Sequence, residues 1–218
     1  MNSETYKNEL IHQLNYYSKY YCRQLIECES LFENGNGHIS VFYLFSLLEN
    51  VIKSTLNDFE STNYKLIQKL QENYIINQTE SEFLNNSQNG IRKIRNIFAH
   101  ANLSKFDLKF SNEVASYPFT ENETCLLLYS KLSNIICGII LKIITPLLIL
   151  DNELDLTHSI EKLDYQIIEH TSEELMKYKG MDTENIKGWN ELNESSKYRL
   201  AENSSDVHIL SGILGNLK

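Results

Sequence analysis

Apolar residues recur along this chain at helical spacing and divide it into a series of amphipathic segments. From about Glu4 to Phe32, the residues Leu10, Leu14, Tyr17, Tyr21, Leu25, Cys28 and Phe32 form one stripe, which predicts a single long helix. Asn34-Gly35-Asn36-Gly37 closes it, because Gly and Asn accept the left-handed conformation of a helix end. A second helix is predicted over about Val41 to Asp58, capped by Ser40. Its core face is Phe42, Phe45, Leu48, Ile52 and Leu56, widened by Val41, Leu44 and Val51. A third runs from Ser61 or Thr62 to Tyr74, with Tyr64, Ile67 and Leu70 inward. After a turn at Asn77-Gln78, Thr79-x-x-Glu82 has the form of a capping box and opens a fourth helix that ends at His100. Gly90 lies inside that helix, where it marks either a bend or the close approach of another backbone.

The pattern changes after His100. Asn102 and Ser104 break the helix, and the alternation of Phe106, Leu108 and Phe110 predicts a short extended piece. Ser116 to Phe119, with Pro118, reads as loop. Thr120-x-x-Glu123 is a second capping box and opens a long helix from about Glu121. That helix is apolar nearly all round, so it belongs at the bundle centre or in a homodimer interface; Pro146 kinks or ends it. Residues 151–218 are more polar. They predict a helix from Thr157 to about Tyr178 ended by Gly180, and helix over Asp182 to Glu202 with Trp189 as anchor. A short amphipathic helix follows from Ser205-Asp206, using Val207, Ile209, Leu210 and Ile213. The whole pattern predicts an all-α fold: a helical bundle over residues 1–150 and a helical C-terminal extension over residues 151–218.

Composition agrees with helices and a packed core, at 42% apolar residues with 2 Pro and 8 Gly in 218. The formal charge of −9 argues against a general nucleic-acid coat protein. The charge is uneven, however. From Leu84 to Phe110, Arg92, Lys93, Arg95, Lys105 and Lys109 stand against Asp107 alone, a window of +4 that leaves −13 elsewhere. Cys22, Cys28, Cys125 and Cys137 have no C-x-x-C spacing and no paired His, so they read as small buried hydrophobes and predict no zinc site. His12 and His38 read as surface residues, and His158, His170 and His208 as helix residues without ligand spacing. No Gly-rich phosphate loop or G-x-S-x-G is present, and no cofactor is predicted. The N-terminus lacks a signal-peptide apolar core, and the run Cys125 to Leu150 is broken by Lys131, Asn134 and Lys142. The expectation is a buried helix, no membrane span and a cytoplasmic protein.

The stretch Ile91-Arg92-Lys93-Ile94-Arg95-Asn96-Ile97-Phe98-Ala99-His100 carries the candidate chemistry. At about 100° per residue, Ile91, Ile94, Ile97 and Phe98 share one side of a helix, and Arg92, Arg95, Asn96 and His100 the other. A guanidinium, an amide and an imidazole so close together suit holding a phosphate and moving a proton beside it. The same residues also fit a structural arrangement, with Arg95 on a carboxylate and His100 capping its own helix end. Glu49 is a possible acidic partner for Arg95 or Arg92. It also stands four residues before Lys53, and the sequence favours that local pair, because nothing in it fixes Glu49 near the motif.

Arg95-Asn96 followed by His100, within IRKIRN-x-FAH and ahead of Phe106-Asp107, resembles the Arg-polar-x-x-x-His signature of the HEPN superfamily. The flanking letters are most similar to the branch holding the mannitol operon repressor-like proteins, and the resemblance spans about residues 40 to 150. It implies a helical bundle that dimerises and, in many members, a metal-independent ribonuclease of toxin–antitoxin or phage-defence systems. On that reading His100 transfers protons, Arg95 stabilises the phosphorane, Asn96 orients His100 or holds the site backbone, and Arg92, Lys93 and Lys105 position the RNA. The implied partners are RNA, a second copy of the chain, and an antitoxin or other protein engaged through the extension. The alternative is a non-catalytic HEPN dimer that regulates or binds a partner.

Overall fold

A computed structural model describes residues 5–111, 115–148 and 155–204. The stretch expected to be one long helix folds as two, α1 (Thr5–Tyr17) and α2 (Lys19–Glu33). Ser18 stands between them in extended conformation, with φ −158° and ψ 113°, and its hydroxyl accepts from Tyr21 N at 3.4 Å. The chain doubles back there. Lys7 Nζ meets Glu29 Oε2 at 2.8 Å, whereas residues that far apart in one straight helix would be separated by about 33 Å. The apolar stripe runs in phase through the break, so periodicity gave no sign of it; a serine able to cap was the sole local cue.

Helix α3 (Gly37–Leu56) starts earlier than expected. Ser40 is not its cap but lies buried in the first turn, donating to Gly37 O at 2.9 Å. Gly37 is required by packing, since a Cβ there would stand 2.4 Å from Asn122 O. Val41, Leu44, Phe45, Leu48, Val51 and Ile52 are buried as expected, but Leu47 is buried too and Phe42 is 46% exposed. Helix α4 (Asn63–Glu72) buries Leu66, Ile67 and Leu70, while Tyr64, expected inward, is 46% exposed. The fourth predicted helix is also two: α5 (Gln78–Asn85) and α6 (Ile91–His100). Its capping box is formed by Asn77 and Glu80, two residues before Thr79 and Glu82. Gly90 marks a close backbone approach at the joint, where a Cβ would fall 2.6 Å from Asn86 N and O.

Strand β1 (Phe106–Lys109) is the expected extended piece. Ser116–Pro118, expected as loop, forms strand β2. Helix α7 (Asn122–Ile144) follows, with Glu121 rather than Thr120 at its cap position and no side-chain cap bond. It is the centre of the bundle, packed against α1 and α3, and a 3-10 turn containing Pro146 ends it. By length and composition α3 and the segment Asn122–Leu147 are both apolar enough to cross a bilayer; here 44% and 72% of their apolar windows, respectively, are buried inside the bundle.

The helix expected from Thr157 to Tyr178 is instead α8 (Thr157–Glu161), strand β3 (Gln166–Glu169) and α9 (Ser172–Tyr178). The strands form an antiparallel sheet in the order β2-β1-β3, with Leu108 opposite both Tyr117 and Ile167. The extension therefore supplies a strand beside β1. It also supplies Leu156, which sits where a Cβ on Gly138 of α7 would stand 2.7 Å away. Trp189 is the expected anchor, buried with Met176 and Ala201 in a small second cluster. Two 3-10 turns precede helix α10 (Glu194–Asn203) where continuous helix was expected. The helix expected from Ser205-Asp206, with His208, lies outside the described residues. The fold is thus a mainly α-helical bundle carrying one small sheet.

Glu80 ties α5 to the centre. It is fully buried, accepts from Asn77 N at 2.8 Å, and meets Lys142 Nζ of α7 at 2.9 and 3.0 Å. Replacing Glu80 by Ala strands the lysine, and we expect a loss of about 3–5 kcal/mol in urea unfolding. A loss below about 1 kcal/mol, within the range of exposed pairs, would contradict this anchoring role.

Candidate functional site

Helix α6 presents Ile91, Ile94 and Ile97 to the core, leaves Arg95 and Asn96 half-buried, and exposes His100. It packs on α3 and α5. Phe98 near its end stacks obliquely on His38 at the start of α3, 6.4 Å between ring centres, while Arg95 meets Glu49 farther along α3. The two helices therefore run antiparallel. Ile39 and Phe42, 51% and 46% exposed, lie along α3 between those two contacts.

Glu49 is bound from both sides. Lys53 Nζ is 2.7 Å from Oε1, and Arg95 NH2 is 2.8 Å from Oε2. The local pair favoured by the sequence is present, and so is the long-range pair that the sequence could not fix. Arg95 NH1 is left to donate to Asn96 Oδ1 at 3.2 Å and lies 3.5 Å from His100 Nε2. A neutral imidazole protonated at Nδ1 accepts in that direction. Arg95, Asn96 and His100 thus come together as one polar edge, anchored to α3 through Glu49. Burial by itself pushes the Glu49 carboxyl up, but the Lys53 hydrogen bond, the Arg95 charge and the Asn63 side chain outweigh it and hold its pKa below the ordinary value.

The other three predicted RNA contacts have partners of their own. Arg92 donates from Nε to Asn85 Oδ1 at 3.0 Å and from NH2 to Asn85 O at 3.2 Å, with its guanidinium over the Tyr64 ring. Lys93 lies over the Phe106 ring at 5.4 Å, beside a cavity shared with Gln166 and Glu169 on the sheet edge. The Lys105 ammonium sits 4.1 Å from the Tyr198 ring centre, against the extension. Lys93 and Lys105 accordingly face the sheet and the extension, and their recorded contacts do not join them to the Arg95–His100 edge.

Two histidines read as unremarkable are structurally engaged. His38 is half-buried, with Nε2 2.9 Å from Phe119 O. His170, 6% exposed, is not on a helix: it links β3 to α9 and places Nε2 2.9 Å from Asp107 Oδ2. No spacing rule joins positions so far apart; only the strand pairing does. All four cysteines are buried and unpaired, and burial raises the Cys28 and Cys125 thiols to about 12, which keeps them protonated and inert. Among the described residues no group of His, Cys, Asp and Glu is arranged to hold a metal ion.

Compared with family models, with curated proteins and with solved structures, the chain gives no match.

The depressed Glu49 pKa has a defined pH signature. A carboxyl whose folded pKa lies below its unfolded value contributes stability above the unfolded value, about 4.3, and loses it as pH falls through the folded one. Glu49→Gln should therefore cost about 1–3 kcal/mol at pH 7. Urea titrations of both proteins should show that gap closing below about pH 4. A gap undiminished at pH 3 would show that the carboxylate charge is not what holds Arg95.

Proposed function

We propose that this chain is a HEPN-type, metal-independent endoribonuclease of toxin or phage-defence type, acting in the cytoplasm as a homodimer with one composite RNA cleft. The observation that carries the reading is the clustering of Arg95, Asn96 and His100 on an exposed helix end, with Arg95 braced from behind by Glu49. RNA brings its own nucleophile, the 2′-hydroxyl. His100 of one copy takes its proton, and the oxygen attacks phosphorus. The guanidinium of Arg95 binds the equatorial oxygens of the phosphorane as their charge grows. The partner's His100 donates a proton to the departing 5′-oxygen, leaving a 2′,3′-cyclic phosphate and a 5′-hydroxyl. Among the described residues one copy brings a single imidazole to this edge, so a two-fold axis that faces two edges together supplies the missing acid. Ile39 and Phe42, half-exposed on α3 between its two contacts with α6, offer apolar surface for such a contact. Arg92 is close enough in the helix to steer the strand, whereas Lys93 and Lys105 serve it less directly.

One observation favours a second reading, a non-catalytic HEPN dimer that regulates or binds a partner. Glu49 already neutralises Arg95, and the chain carries −9 overall, so the edge is less cationic than its sequence window. A regulatory dimer would use the extension, which exposes Tyr178 and Leu200, as its docking element.

The purified chain should cut single-stranded RNA in EDTA and leave 2′,3′-cyclic ends. His100→Ala should lower the rate at least a hundredfold with an unchanged circular dichroism spectrum. Arg95→Ala should also relieve any growth defect on expression. Cleavage unchanged in His100→Ala ends the nuclease reading, and a stable partner complex without cleavage favours the second.

A further inference from the structure

A second polar site, separate from the α6 edge, lies where the extension meets the sheet. A cavity of about 440 Å³ opens between β1, β2 and α9, within the roughly 300–1,000 Å³ of small-molecule sites. Asp107 forms part of its wall although the residue is only 5% exposed. Its Oδ2 accepts from Ser116 Oγ at 2.7 Å and from His170 Nε2 at 2.9 Å. Both bonds fall on one oxygen, and among the described residues Oδ1 receives none, so Oδ1 is the atom available to a guest. Tyr178, 70% exposed, supplies an aromatic wall and stands edge-on to the His170 ring at 5.6 Å. Leu175 and Pro118 add apolar surface, and Thr120 adds a hydroxyl.

A buried acceptor beside an exposed aromatic face selects a flat ligand with an N–H donor at its edge. We propose that this cavity binds a nucleobase carrying an exocyclic amino group, with the amino hydrogen on Asp107 Oδ1 and the ring stacked on Tyr178. Carboxylates accept from the amino group of cytosine in this way, and single-stranded bases are read by stacking plus edge hydrogen bonds. Uracil offers only its ring N3–H, flanked on both sides by carbonyl oxygens that the carboxylate repels, and hypoxanthine only its N1–H beside one such oxygen, so both bind less well than an amino edge. His170 donating to the other oxygen holds the carboxylate in place without occupying Oδ1. The base has two possible sources, a free nucleotide or one residue of an RNA strand.

The test is calorimetric titration of the full chain with adenosine, cytidine, uridine and inosine, followed by a short adenine oligoribonucleotide as competitor. Adenosine and cytidine should bind at least tenfold more tightly than uridine and inosine, which lack the amino group. Tyr178→Ala, a change at an exposed side chain, should weaken adenosine at least tenfold, and Asp107→Asn should erase the preference for amino bases. Displacement of adenosine by the oligonucleotide assigns the site to RNA, and its failure assigns it to free nucleotide. Equal binding of uridine and cytidine, adenosine affinity unchanged in Tyr178→Ala, or no binding of adenosine at millimolar concentration would overturn the proposal. None of these readouts depends on cleavage at His100.

Discussion

The burial of α7 is the constraint from which the rest of the structure follows. A helix that apolar cannot leave most of its surface to water, so other elements cover all but a short strip around Ser130 and Lys131. Helices α1 and α3 take the largest share, and α3 comes so close that position 37 tolerates only glycine against the backbone of Asn122. The remaining ring is closed by pieces that are individually short. Helix α5 is held through the buried Glu80 and its half-buried partner Lys142, and the extension through Leu156 against Gly138. Helix α6 packs on α3 and α5, one layer out, which is why its polar side reaches the surface.

That position gives the Arg95–His100 edge its character. The three isoleucines fix the rotation of α6, and Glu49 fixes the arginine. Because one carboxylate is shared by Lys53 and Arg95, the guanidinium is oriented with a remaining N–H bearing on Asn96 and His100. The pair is half-buried, where orientation matters more than net stabilisation. A charged group held in place before a ligand arrives costs no reorganisation when charge develops beside it, which is the property a phosphate site needs.

The apolar stripes were legible in the sequence, and with them the helical class, the central helix, the extended piece at Phe106–Lys109 and the Trp189 anchor. What escaped was decided by contacts between distant segments. The hairpin at Ser18 keeps its stripe in phase, so no change of period betrays it. Strand β3 owes its conformation to hydrogen bonds from β1, and Gln166-Ile167-Ile168-Glu169 fits a helix equally well when taken alone. The capping box lies two residues earlier than expected because Asn77 and Glu80 satisfy the same chemistry as Thr79 and Glu82. At the site, a helical wheel brought Arg95, Asn96 and His100 together correctly, but it holds no information on neighbours. Glu49 was a candidate partner that only the fold could place against Arg95, His38 and the Asp107–His170 contact emerged only in three dimensions, and Lys93 and Lys105 turned toward the sheet and the extension.

The reading of this edge as half of a shared cleft is tested most directly by mixing. Wild-type chains are unfolded and refolded with increasing proportions of His100→Ala chains, and RNA cleavage is measured at constant total protein. If each cut needs an imidazole from both copies, activity falls as the square of the wild-type fraction. A straight line through the origin would mean that each copy works alone and would contradict the shared site.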